Sequence, residues 1–135
     1  MAASVLVDAG FMVALLRRRD AHSAWAAAQA RRFPPPWQTC EAAISETCYL
    51  LGARGAPAMY ALLRRGAVVP DFDLAHDLEA VLKVMERYAD VPASVADACL
   101  VRMTETLADP VLLTTDSDFR LYRRNGRQVI PAVMP

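Results

Sequence analysis

The stretch Ser4-Val5-Leu6-Val7-Asp8-Ala9-Gly10 decides the fold that the sequence predicts. A short apolar run that ends at a turn signal is typical of a strand buried inside a parallel sheet. The run Val111-Leu112-Leu113-Thr114-Thr115 repeats this pattern and leads into Asp116. Because ligands bind beyond the carboxyl ends of parallel strands, Asp8 and Asp116 are predicted to face one shared site.

Helical and extended patterns alternate along the rest of the chain. Helices are predicted over Phe11–Arg18, Asp20–Arg32, Cys40–Arg54, Pro57–Gly66, Leu74–Tyr88, Ser94–Leu107 and Asp116–Arg124. Further strands are predicted at Trp37–Thr39, Ala67–Pro70 and Gln128–Ile130, the last after a turn at Asn125-Gly126. This alternation predicts a three-layer α/β/α fold with a mostly parallel sheet of four to five strands, and residues 1–135 are expected to form a single domain.

Composition limits the classes of function. The 15 basic residues balance 15 acidic ones, so the chain as a whole has no electrostatic attraction for nucleic acid or anionic membrane. Three cysteines without CxxC spacing favour reduced thiols in a cytoplasmic protein. No apolar run approaches the ~18 residues that a membrane span requires, so no contact with a membrane is expected.

Most of the acidic residues that could form a site also have a structural interpretation. Asp8 and Asp97 are each placed to cap a helix, the latter in a capping box with Ser94. Asp116 and Asp118 would both fall in the first turn of a helix, where acids are favoured. Glu46 is different, because its neighbours are apolar and no basic residue lies three or four positions away. We therefore expect Glu46 to be shielded from water.

The argument for a site depends on the acids as a set. The predicted topology brings Asp8 and Asp116 to one sheet edge, and flanking helices carry Glu46 and Asp97. Carboxylates within 4–6 Å of each other repel by about 4 kcal/mol per pair at an effective dielectric near 20. Raised pKa values or divalent cations relieve such repulsion, and oxygen ligands select Mg²⁺ or Mn²⁺. Phosphodiester hydrolysis is the chemistry that such a site supports best.

Four segments, in the same order along the chain, resemble the motifs of PIN domains. They are Val7–Gly10, Ser45–Leu51, Tyr88–Ala98 and Leu113–Phe119. The resemblance implies a metal-dependent endoribonuclease whose acidic quartet is Asp8, Glu46, Asp97 and Asp116. It also implies that Thr114 supports the fourth acid, with Asp118 as a further supporting residue.

The length of the chain resembles the VapC-type toxins of toxin–antitoxin pairs. That resemblance implies an RNA substrate, a homodimer and a VapB-type antitoxin that blocks the groove. The chain departs from many relatives at Ala9-Gly10, where a serine or threonine commonly follows the first aspartate. Candidates for contacts with the RNA backbone, which could equally be solvated helix ends, include Arg17, Arg19, Arg120 and Arg123.

Three other functions remain open from the sequence. One is a non-catalytic PIN-like module that binds RNA or protein, and another is a housekeeping RNA-processing nuclease. The third, an aspartyl-nucleophile phosphatase, is disfavoured because Gly10 stands where such enzymes usually carry a second aspartate.

Overall fold

A computed structural model describes residues 2–135. The elements of this range are β1 (Ser4–Val7), α1 (Ala9–Leu16), α2 (Ser23–Arg32), β2 (Trp37–Thr39), α3 (Glu41–Arg64), β3 (Val68–Pro70), α4 (Leu78–Arg87), α5 (Val95–Thr106), β4 (Pro110–Leu113), a 3₁₀-helix (Ser117–Arg120), β5 (Arg123–Arg124), β6 (Gln128–Val129) and β7 (Ala132–Val133). No helix in this range has the length and apolarity needed to cross a membrane.

Five strands form one sheet in the order β3-β2-β1-β4-β7, and all neighbours are parallel. The α-helices flank this sheet, which confirms the predicted three-layer α/β fold. Strand β1 lies at the centre, and its register with β4 places Val7 beside Leu113. The two strands therefore end side by side, at the edge where the first and last acids of the predicted set follow.

The apolar runs of the two central strands form the middle of the core. Leu6, Val7, Leu112 and Leu113 are fully buried, as expected for strands covered by helices on both faces. The Phe11 ring of α1 extends this core through edge-to-face contacts with two tryptophan rings. Burial of these side chains fixes the register of β1 and β4, and therefore places the acids that follow the two strands at the same edge of the sheet.

Helix α3 differs from the prediction of two helices separated at Arg54–Pro57. The break lies earlier, at Gly52, whose φ of 72° and ψ of −179° are not helical. A positive φ of this kind is readily adopted only by glycine. Pro57 falls near the start of the second helical segment, where its missing N–H removes one hydrogen bond close to a helix end.

The C-terminal part of the chain was predicted less well. The predicted helix over Asp116–Arg124 is wrong, because only Ser117–Arg120 forms a 3₁₀-helix and the chain then becomes extended. The predicted turn is present: Asn125 and Gly126 both have positive φ, as a tight hairpin requires. The hairpin joins β5 to β6 in a separate two-stranded ribbon, so Gln128–Ile130 does not close the sheet. That place is taken by β7, which pairs with β4.

Candidate active site

Asp8 lies at the junction of β1 and α1 and caps the helix, as the sequence predicted. Its Oδ1 accepts a hydrogen bond from the Phe11 N–H at 2.8 Å, and its Oδ2 accepts one from the Thr114 hydroxyl. The side chain is 6% exposed. Burial raises the pKa of Asp8 to about 7, and the two hydrogen bonds only partly oppose this effect. The charges of Asp116 and Asp97 raise it further.

Thr114 connects the acids that follow β1 and β4. Its hydroxyl donates to Asp8 and accepts the backbone N–H of Asp116 at 2.9 Å, and the side chain is buried. Asp116 in turn caps the 3₁₀-helix, because its Oδ1 accepts the Asp118 N–H at 2.9 Å. One hydroxyl group thus fixes the relative position of two acids that are far apart in sequence.

Asp97 forms the predicted capping box at the start of α5. Its Oδ2 accepts the Ser94 N–H at 3.1 Å, and the Ser94 hydroxyl accepts the Asp97 N–H at 3.0 Å. The buried Tyr122 also donates its hydroxyl to Oδ2 at 3.4 Å. Burial raises the pKa of Asp97, the Ser94 contacts oppose this, and the charge on Asp116 adds to the increase.

Glu46 is not shielded from water, so that expectation was wrong. The side chain is exposed on α3, and the apolar residues beside it include Tyr49, which is 84% exposed. The apolar neighbours of Glu46 therefore divide between two faces of α3: Ala43 is in the core, whereas Tyr49 and Leu50 lie with Glu46 on the exposed face. Partial removal of water still raises the pKa of Glu46, and the charges on Asp97 and Asp116 contribute to the increase.

The four acids of the predicted quartet line one pocket of about 170 Å³, which we call the acidic pocket. Its lining consists of Asp8, Ala9, Gly10, Glu46, Leu50, Ala96, Asp97, Leu100 and Asp116. The two ion pairs found within residues 2–135 both belong to Arg102, so no arginine or lysine neutralises these acids there. Asp118 lies outside the lining, next to Tyr122, whose pKa it helps to raise.

The donor set of the acidic pocket suits a hard divalent cation. It offers carboxylate oxygens and neither imidazole nor thiolate, which favours Mg²⁺ or Mn²⁺ over zinc. Within the described range, however, no three His, Cys, Asp or Glu side chains are grouped closely enough to form a ready-made metal site. The donor chemistry therefore fits a cation, and the side chains have to draw closer to hold one.

Two features of the pocket were missed from the sequence. Tyr122 carries no local signal, because its contact with Asp97 arises only when the chain folds. The second is the role of Gly10, which is steric: a Cβ there would overlap the Thr115 Oγ1. Glycine thus leaves room for the Thr115 hydroxyl beside the first acid.

The four candidate arginines are not brought together. Arg17 donates to the Leu50 carbonyl at the rim of the acidic pocket, and Arg19 is exposed on the loop after α1. Arg120 lines a separate cavity near the C-terminus. Arg123 is held by the backbone, because its Nη1 donates to three carbonyls of residues 120–122.

Comparison with known proteins identifies the family to which the chain belongs. No curated protein matches the sequence. The chain is similar to the crystal structure of VapC20 from Mycobacterium tuberculosis, described as a toxin that cleaves the sarcin–ricin loop, with 25% sequence identity and a TM-score of 0.73. The similarity covers 85% of this chain and 92% of that one. The model of the PIN domain matches residues 5–125, and the chain belongs to the PIN domain family.

Proposed function

We propose that this protein is a metal-dependent endoribonuclease of the VapC type. The observation that supports this most is the meeting of four carboxylates, from four different parts of the chain, in one pocket where residues 2–135 supply no neutralising arginine or lysine. Similarity to VapC20, a toxin that cleaves the sarcin–ricin loop, supports RNA as the class of substrate. An RNA stem-loop of that kind is therefore the first substrate to test.

Asp8, Asp97, Asp116 and Glu46 would hold the cation, which we propose to be Mg²⁺ or Mn²⁺. When bound, such an ion lowers the pKa of water and offsets negative charge on the scissile phosphate. With a pKa of about 7, Asp8 is about half protonated at neutral pH in the metal-free chain. A cation therefore competes with a proton for this carboxylate, and its binding releases that proton.

The surrounding residues would keep three of these carboxylates in fixed orientations. Thr114 and the Phe11 N–H hold both oxygens of Asp8, and the Asp118 N–H holds Asp116. Ser94 and Tyr122 hold Asp97. Glu46 has no hydrogen-bond partner of this kind within residues 2–135 and is exposed, so its carboxylate is free to move towards the other three.

A matched pair of variants on α3 tests the proposal. Glu46→Gln removes one carboxylate from the acidic pocket, while Glu41→Gln removes an exposed carboxylate from the first turn of the same helix. With Mg²⁺ or Mn²⁺, we expect Glu46→Gln to slow RNA cleavage by about 100-fold or about 3 kcal/mol. Glu41→Gln should cleave like the wild type, and EDTA should stop all cleavage. Equal cleavage by both variants would remove Glu46 from the mechanism.

A non-catalytic module that binds RNA or protein is the second candidate. The absence of a ready-made group of three metal ligands within residues 2–135 favours it. Calorimetric titration with Mg²⁺ and Mn²⁺ distinguishes the two functions, because a nuclease of this kind requires a site of millimolar affinity or better. A housekeeping RNA-processing nuclease would pass the same test, and a short neighbouring gene for a VapB-type antitoxin would argue against it.

We further propose a cytoplasmic homodimer that binds a VapB-type antitoxin. The exposed Tyr49, Leu50 and Tyr60 of α3 support a protein interface, because large apolar side chains are depleted from free surfaces. Light scattering of the purified chain measures the oligomeric state directly. Tyr60→Ser should shift a dimer towards the monomer, while an unchanged mass would exclude Tyr60 from the interface.

A further inference from the structure

A second pocket, of about 300 Å³, lies between α4 and the β5–β6 turn. We call it the basic pocket. The residues of its lining that matter here are Lys83, Arg87, Tyr88, Glu105, Arg123 and Asn125. None of these belongs to the acidic pocket, and Lys83 and Arg87 were not singled out from the sequence. The pocket therefore requires an explanation of its own.

The charge of the basic pocket is not balanced. Lys83, Arg87 and Arg123 form no ion pair within residues 2–135, where both ion pairs belong to Arg102. The one acid in the lining, Glu105, is already engaged: its Oε1 accepts from Arg102 at 3.2 Å and its Oε2 from the Asn125 N–H. Three cationic residues thus line a small volume whose one carboxylate already accepts hydrogen bonds from Arg102 and from the Asn125 backbone.

The two arginines of the basic pocket are held in place by uncharged groups. The Arg123 side chain donates through Nη1 to three carbonyls, and its backbone N–H donates to the Tyr88 hydroxyl at 2.9 Å. Arg87 lies 5.6 Å from the centre of the Tyr88 ring. It also lies against the turn, since a Cβ added at Gly126 would be 3.2 Å from its Nη1. These contacts order the guanidinium groups without neutralising them.

We propose that the basic pocket binds the phosphate group of a phosphate ester. Guanidinium groups match phosphate oxygens in geometry, and ordered arginines lose little conformational freedom on binding. The phosphate comes either from the backbone of RNA or from a free nucleotide. This proposal goes beyond the nuclease function and does not depend on it.

The basic pocket is separate from the acidic one but lies close to it. The Tyr88 ring contacts the Tyr122 ring at 5.1 Å between centres, and the Tyr122 hydroxyl reaches Asp97 at 3.4 Å. Two tyrosine side chains therefore lie between the two pockets. A phosphate in the basic pocket does not compete with a cation at Asp97, so the two sites can be tested separately.

The test measures binding in EDTA, where cleavage does not occur. The variant Lys83→Met/Arg87→Met removes two cations of the basic pocket, and Arg64→Met/Arg65→Met removes two exposed cations at the end of α3. Fluorescence anisotropy measures the affinity for a short single-stranded RNA. Calorimetry measures the affinity for 5′-AMP, and thermal melting verifies that both variants fold.

If the phosphate is that of RNA, Lys83→Met/Arg87→Met weakens RNA binding at least five-fold more than the control variant does. The slope of log K against log salt also decreases by about 0.7 for each phosphate that the variant no longer neutralises. If the source is a free nucleotide, AMP binds to the wild type and the control but not to Lys83→Met/Arg87→Met. Equal behaviour of both variants towards both ligands overturns the proposal.

A measurement on the wild type keeps the test valid if the variant fails to fold. Titration with 5′-AMP or the short RNA, followed by NMR, should shift the amide resonances of Asn125 and Gly126, which line the basic pocket. The amides of Ala2 and Ala3, near the N-terminus, serve as the internal control. No shift at the turn with either ligand also overturns the proposal.

Discussion

The acidic pocket and the basic pocket differ in how the fold treats their charges. Three of the acids come from strand ends and helix starts, Glu46 comes from within α3, and Asp8 is buried. The cations come from the surface of a helix and from a hairpin, and Lys83 and Arg87 stay exposed. Burial without a positively charged partner raises the pKa of Asp8, whereas the exposed cations stay hydrated. The charged form of Asp8 therefore destabilises the folded, metal-free chain, and a bound cation can offset this cost. The exposed cations of the basic pocket carry no such cost.

The largest expected effect concerns cleavage. We expect Asp8→Asn to reduce the rate of RNA cleavage by about 10³-fold, or about 4 kcal/mol, because the amide keeps the helix cap but carries no charge. The control is Asp71→Asn, an exposed aspartate after β3. A single-turnover assay with excess protein measures the rate. If Asp8→Asn cleaved like the control, the acidic pocket would not be the site of hydrolysis.

The second-largest effect is on stability. Asp8→Asn is expected to slow cleavage but to raise the free energy of unfolding at high pH. Burial raises the pKa of Asp8 from 3.8 to about 7, so the folded chain binds more protons than the unfolded chain between these values. The free energy of unfolding of the metal-free protein therefore decreases as the pH rises from about 4 to about 7, by up to about 4 kcal/mol. Asp8→Asn should remove most of this decrease and be the more stable protein at pH 8.

Urea unfolding at several pH values in EDTA measures this effect. Adding Mg²⁺ at pH 8 should stabilise the wild type and leave Asp8→Asn unchanged. A wild type whose stability is flat between pH 4 and 7 would mean that Asp8 is not destabilised by its burial. The two pockets would then not differ in whether their charges destabilise the folded chain.

Thr114 gives a smaller effect on the same pocket. Thr114→Val keeps the shape of the side chain but leaves Asp8 Oδ2 and the Asp116 N–H without their partner. Changes to residues that orient a metal ligand typically cost 10–100-fold in affinity or activity, and we expect a loss of about that size. Thr114→Ser retains the hydroxyl and should recover most of the activity. If Thr114→Ser did not recover activity, the loss in Thr114→Val would be due to packing and not to the missing hydroxyl.

The smallest effect concerns Tyr122. Its hydroxyl lowers the pKa of Asp97, so Tyr122→Phe should raise that pKa, because one weak hydrogen bond to the charged carboxylate is lost. A ¹³C NMR titration of the carboxyl group measures the change. Tyr49→Phe, on an exposed side chain, should leave the titration of Asp97 as it is. An unchanged pKa in both variants would show that the contact with Asp97 has no electrostatic role.

The features that the sequence could predict depend on residues close together in the chain. Strand β1 and strand β4 were predictable because apolar runs followed at once by acids reflect burial and a sheet edge, two local properties. The cap at Asp8 and the capping box at Asp97 follow from neighbours within three residues. All four acids of the predicted quartet line the acidic pocket.

The remaining features depend on contacts between distant segments. The exposure of Glu46 could not be predicted, because an apolar neighbourhood in sequence does not show whether a helix face meets the core or the solvent. The 3₁₀-helix ends at Arg120 because the chain then enters a hairpin. The turn of that hairpin is formed by Asn125 and Gly126, which both have positive φ. The basic pocket joins α4 to that hairpin, and therefore has no signature in either segment alone.

The break of α3 at Gly52 has a mechanical consequence. Carbonyls just before a helix break lack helical donors, and Arg17 supplies one to Leu50. Arg17 ends α1, which Asp8 caps at its start, and Leu50 ends the segment of α3 that carries Glu46. This hydrogen bond joins the C-terminal end of α1 to the first segment of α3, at the rim of the acidic pocket. The helix that Asp8 caps and the helix segment that carries Glu46 are thus tied together by an arginine that contacts neither acid.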